Sequence, residues 1–64
     1  MKEELIKRVC NIKNERKKKV ITSILSNDNW YKELSIETIL SILLDLGYDS
    51  KDAKRIYIEL LKNN

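Results

Sequence analysis

Gly47 is the only glycine in the chain, and the sequence contains no proline. Since glycine and proline are the strongest helix breakers, a chain almost free of them favours helix over most of its length. Isoleucine and leucine recur at helical spacing on both sides of Gly47, and the 64 residues suffice for one domain, 1–64. We therefore predict an all-α domain built as a bundle of three or four helices.

The clearest helices lie on either side of the glycine. Ser35 is a preferred N-cap residue, and the apolar pattern after it predicts a helix over 36–46. Gly47 then falls where the residue after a helix needs a positive φ. A last helix is predicted over 51–62. Before Ser35, residues 30–34 are predicted to form a short helical turn whose tryptophan enters the core.

The N-terminal half carries two apolar stripes, in residues 5–12 and 20–25, that are roughly in phase. Basic side chains interrupt the stripes on the side that would be buried. One continuous or slightly kinked helix over 3–25 is the preferred interpretation, because no true breaker separates the stripes. The alternative is two helices, the second of them capped by Asn14.

The predicted helix over 36–46 is apolar around more than half of its circumference. Two neighbouring helices cannot cover so wide an arc, and chains this short commonly gain buried surface by associating. We therefore predict a homo-oligomer.

Catalytic and metal-binding chemistry has little support in the residue types. The chain has no histidine and one cysteine, Cys10, so an internal disulfide, a cysteine-based zinc site and His-based catalysis are all excluded. No glycine-rich phosphate loop or nucleophile elbow is present. We expect a non-enzymatic protein without a cofactor or metal. Cys10 lies on an apolar stripe and is expected to be a small core residue.

No stretch of the sequence approaches the 20 or so apolar residues that span a membrane. The first residues also lack the apolar run of a signal peptide. We therefore expect a cytoplasmic protein that makes no membrane contact.

Positive charge is concentrated in KNERKKK, residues 13–19, which we call the basic segment. It holds five Lys or Arg and one acid, Glu15, in a chain whose net charge is +3. Neutralising several phosphates is the simplest way for a small protein to bind nucleic acid, whereas a solvated charged face is the alternative. The outer face of the last helix could lie in the major groove, as the second helix of a helix-turn-helix does. The predicted nucleic-acid-binding residues are Lys13, Arg16, Lys17, Lys18, Lys19, Lys51, Arg55 and Lys62.

The stretch ILSILLDLGYDSKDAKRIYIEL, residues 39–60, resembles the first two helices of ubiquitin-associated-like domains, including the C-terminal domain of the Holliday-junction protein RuvA. The shared features are a leucine-rich helix, a Leu-Gly-Tyr turn and an acidic-alanine start to the next helix. Such domains have a third helix, for which residues 20–25 would have to serve here. The resemblance implies that the turn binds a protein partner. The corresponding residues are Leu46, Gly47 and Tyr48, to which we add Ile58 on the outer face of the last helix.

Three functions remain open from the sequence. The first is a small regulatory DNA-binding protein of phage or plasmid type, acting through the basic segment. The second is an adaptor or inhibitor that docks on a host protein through the glycine turn. The third is a structural dimerisation module.

Overall fold

Four α-helices follow one another in the computed structural model, which describes residues 2–62. The predicted domain also includes residues 1, 63 and 64, which lie outside that range. No strand is present between residues 2 and 62, so the prediction of a small all-α bundle is confirmed. The helices are α1 (Lys2–Arg8), α2 (Glu15–Leu25), α3 (Ile36–Asp45) and α4 (Ser50–Lys62), with a 3-10 turn at Val9–Asn11 after α1.

The prediction of one continuous helix over 3–25 is wrong. The chain leaves helical geometry at Ile12 (φ −81°, ψ 120°) and re-enters it after Asn14 (φ −78°, ψ 112°). The Asn14 side chain accepts a hydrogen bond from the backbone N–H of Lys17 at 3.0 Å, which caps the new helix. The alternative of two helices with an Asn14 cap is therefore the observed structure.

The helix break between residues 12 and 14 keeps the cations of the basic segment off the face that the bundle buries. In the 3-10 turn, side chains three residues apart lie on the same side, so Val9 and Ile12 both reach the core. Cys10 then points outward and is exposed, which corrects the expectation that it is a core residue. A continuous helix would instead have carried cations along the face that buries Ile21 and Leu25.

A tight turn joins α3 to α4. Gly47 has a φ of 98°, and its N–H donates to the Leu44 carbonyl at 3.0 Å. The Tyr48 N–H donates to the Leu43 carbonyl at 3.2 Å, which completes a Schellman motif at the end of α3. Leu43 and Tyr48 are both buried, so the apolar contact that accompanies this motif joins the core.

One apolar core holds the helices together, and each helix contributes to it. The loop between α2 and α3 adds Trp30, which is buried, and Leu34, which packs against the core in part. The burial of Trp30 confirms the prediction that this residue enters the core. The buried residues are Leu5, Val9, Ile12, Ile21, Leu25, Trp30, Ile39, Ile42, Leu43, Leu46, Tyr48, Ala53, Ile56 and Leu60.

The apolar arc of α3 is only partly covered. Ile39, Ile42 and Leu43 are buried, whereas about half of the surface of Ile36 and Leu44 is exposed. These two side chains are the part of the arc that led us to predict self-association, which stays a prediction.

Candidate nucleic-acid interface

The basic segment covers the last residues before α2 and the first turn and a half of that helix. Lys13, Arg16 and Lys19 are exposed, and Lys18 is half-buried. None of these four has an acidic partner within 4 Å among residues 2–62. Their charges are therefore open to solvent and to an anionic ligand.

Lys17 has a different environment from the other cations of the segment. Its Nζ lies 3.4 Å from Oδ2 of Asp45, the last residue of α3. Both side chains are partly exposed, so the pair adds at most about 1 kcal/mol to stability. The pair places the start of α2 beside the end of α3.

A second contact fixes the same end of the bundle. The Arg8 guanidinium carbon lies 3.9 Å from the centre of the Tyr48 ring, a cation–π contact between α1 and the turn after α3. A side chain on Gly47 would lie 3.4 Å from Nη1 of Arg8. The glycine turn therefore packs against the junction of α1 and α2, and the basic segment emerges at that end of the molecule.

The charge distribution is strongly uneven. The basic segment carries five cations and one anion, a net +4, so the rest of the chain carries −1 out of a total of +3. Arg16 and Lys17 also lie in the first turn of α2, where the helix dipole is positive and cations are unfavourable. A local cost of this kind is expected where a sequence serves binding rather than stability.

The outer face of α4 is also exposed, but it is more mixed. Lys51, Arg55 and Lys62 are exposed as predicted, and Arg55 Nη2 lies 3.5 Å from Oδ1 of Asp52. Lys51 lies in the first turn of α4, near the end of the bundle that holds the basic segment. Lys62 is about 16 Å farther along the helix axis. The predicted binding residues are therefore not brought together into one patch.

The proposed protein-binding turn is largely internal. Leu46 is 0% exposed and Tyr48 is 8% exposed, so neither can form a partner-binding surface. Burial raises the pKa of the Tyr48 phenol, although the Arg8 cation beside it acts in the opposite direction. Of the four residues in this prediction, Gly47 and Ile58 remain exposed, and they lie on different elements.

Sequence reasoning missed a group of hydroxyl side chains on α2. Thr22, Ser23 and Ser26 are exposed, and together with Glu15, Lys18 and Lys19 they line an open groove along the helix. Thr22 and Ser23 follow Lys19 by three and four residues and Ser26 follows it by seven, a helical spacing that is visible in the sequence. In α2 these hydroxyls lie beside the cations of the basic segment.

Among residues 2–62 there is no group of three acidic, histidine or cysteine side chains that could hold a metal ion. No helix in that range is long and apolar enough to cross a membrane. Comparison with protein-family models, curated proteins and solved structures finds no match to this chain.

Proposed function

We propose that this protein is a small, non-enzymatic DNA-binding protein that holds phosphates with its basic segment. The observation that carries the proposal is the set of four cations without acidic partners at the start of α2, namely Lys13, Arg16, Lys18 and Lys19. A protein that binds DNA without chemically modifying it acts by blocking the access of other proteins to the bound site, so the proposed role is regulatory.

The charge balance of the basic segment favours binding to an anionic polymer over a role as a solvated surface. A face that serves solubility normally mixes acids with bases, and the basic segment contains one acid, Glu15. Each phosphate that a cation neutralises releases condensed counterions, so four contacts give a large, salt-dependent affinity. The positive end of α2 adds to the same field.

The decisive measurement is the salt dependence of binding. With a fluorescently labelled DNA duplex, four phosphate contacts predict a slope of log K against log salt of about −3.6. Between 50 and 200 mM salt the affinity should then fall by about 150-fold, which fluorescence anisotropy resolves. Because Trp30 is buried, the label should be on the DNA.

A matched pair of variants separates the segment from net charge. Lys18→Gln with Lys19→Gln should reduce the slope to about −1.8, because two contacts are lost. Lys7→Gln with Lys32→Gln removes the same charge from exposed lysines outside the segment, and should leave the slope nearly unchanged. Equal losses in both variants, or no binding at low salt, would refute the proposal.

A further inference from the structure

Most of the surface of α2 faces solvent. Of its eleven residues only Ile21 and Leu25 are buried, while Lys18 and Ile24 are half-buried. The helix is about 16 Å long and, with side chains, about 10–12 Å across. The major groove of B-form DNA is about 12 Å wide and admits a helix of this size.

The exposed face of α2 changes character along its length. Cations occupy the N-terminal part, and the hydroxyl side chains Thr22, Ser23 and Ser26 follow on the side away from Ile21. One apolar side chain, Val20, is also exposed. The one acid, Glu15, is the first residue of the helix and lines the same groove as the hydroxyl side chains. Hydroxyls and lysines are side chains that contact base edges and phosphates.

Two of the three hydroxyl protons are already used in hydrogen bonds to backbone carbonyls, so these two groups can act toward a ligand only as acceptors. Thr22 Oγ1 donates to the Lys18 carbonyl and Ser26 Oγ donates to the Ser23 carbonyl, each at 2.7 Å. The oxygen lone pairs remain able to accept a hydrogen bond. In the major groove the donors they would meet are the exocyclic amines of adenine and cytosine.

The aromatic residues argue against a single-stranded ligand. Proteins that bind single strands stack the bases on exposed aromatic side chains. The chain has one Trp, three Tyr and no Phe, and none of them lies in residues 13–26. Trp30 and Tyr48 are buried, and Tyr31 and Tyr57 are half-buried. A-form RNA is also disfavoured, since side chains cannot read its deep and narrow major groove.

We infer that α2 is the helix that enters the major groove of B-form DNA, with Thr22 and Ser23 at the base edges and the four cations of the proposed function on the flanking phosphates. The inference rests on the proposed function and adds the form of nucleic acid and the element that reads it. It also replaces α4 as the groove-binding helix. The outer face of α4 exposes Ile58 and Leu61 and carries acidic side chains beside its cations.

The first experiment compares ligands of one random-sequence pool, 20 base pairs long, prepared as duplex DNA, duplex RNA and single-stranded DNA. Duplex DNA should bind at least about tenfold more tightly than either of the others. Methyl green, which occupies the major groove, should displace the protein, whereas netropsin in the minor groove should not. Equal binding of the three ligands, or displacement by netropsin alone, would overturn the inference and leave the proposed function standing.

The second experiment identifies the helix that contacts the bases. Repeated rounds of selection from the duplex pool give the DNA sequences that each variant prefers. Thr22→Ala with Ser23→Ala should weaken the sequence preference by at least about fivefold for each lost base contact, with the salt slope unchanged. Alanine is a better helix former than either residue, so a loss would not reflect unfolding of α2. Lys54→Ala with Ile58→Ala on α4 should have no effect. Loss of preference in the α4 variant instead would overturn the inference, and absence of any binding would overturn the proposed function as well.

Discussion

Replacing Arg16 by glutamine should stabilise the protein while weakening its binding to DNA. Arg16 is the second residue of α2 and is exposed, and it has no acidic partner within 4 Å among residues 2–62. The first turn of a helix carries the positive end of the macrodipole, so a cation at that position is unfavourable. Glutamine has nearly the same helix propensity as arginine, so the charge is the main change.

The magnitude follows from the position of the charge. One cation at the unfavourable end of an exposed helix costs about 0.3–1 kcal/mol at low ionic strength. The unfolding entropy of a 64-residue chain is about 0.13 kcal/mol per kelvin, taking about 2.1 cal/mol/K per residue. The melting temperature of Arg16→Gln should therefore rise by about 2–7 °C.

Two further variants carry the same change in charge and serve as controls. Lys19→Gln lies beyond the first turn of α2, so it should shift the melting temperature very little. Lys62→Gln removes a cation from the last turn of α4, where it is favourable, and should lower the melting temperature. Circular dichroism at low salt measures all three, and at about 1 M salt the differences should nearly disappear.

The order of the melting temperatures of the three variants tests whether the helix dipole acts on the basic segment. If Arg16→Gln is no more stable than Lys19→Gln, the helix dipole does not act on the basic segment. If all three variants rise together, the gain comes from lower net charge alone. Either result would refute the idea that cations at the start of α2 lower the stability of the protein.

Three other perturbations test the core and the turn. Leu43→Ala should lower the free energy of unfolding by about 2.7–5 kcal/mol in a urea titration, because Leu43 is completely buried; a loss below about 1 kcal/mol would mean that this site is not in the core. Gly47→Ala should destabilise by about 1–2 kcal/mol in the same titration, since its φ of 98° strains any residue with a Cβ; an unchanged midpoint would rule out that backbone conformation. Burial raises the pKa of Tyr48 above its ordinary value of 10.0, so its contribution is complete below about pH 10 and is lost as the pH rises through the folded-state pKa. Tyr48→Phe should therefore lose less stability than the wild type between about pH 9 and pH 11, and equal losses would contradict this origin.

The C-terminal half of the fold could be predicted because its signals are local. Ser35 caps α3, with its hydroxyl accepting from the Thr38 N–H at 3.2 Å, and Gly47 has the positive φ that its position required. Predicted helices over 36–46 and 51–62 differ from the observed α3 and α4 by one residue at one end each. These boundaries depend on neighbours within four residues and hardly on the rest of the chain.

The N-terminal half could not be settled in this way. Asn14 was a visible cap candidate, but a cap is used only if ending the helix there allows better packing. The break allows Val9 and Ile12 to join the core and turns Cys10 outward. That gain depends on contacts with distant parts of the chain, which the periodicity of residues 3–25 does not contain.

The candidate site, like the fold, could be predicted from the sequence only in part. The sequence alone placed five cations in residues 13–19, and their number and spacing need no structure. Only the tertiary structure showed that Lys17 pairs with Asp45 while Arg16 and Lys19 face solvent, and that Leu46 and Tyr48 are core residues. Composition and local caps depend on covalent neighbours, and the sequence determines them. Whether a charge or an apolar side chain faces solvent depends on which distant helix packs against it, and the tertiary structure decides that.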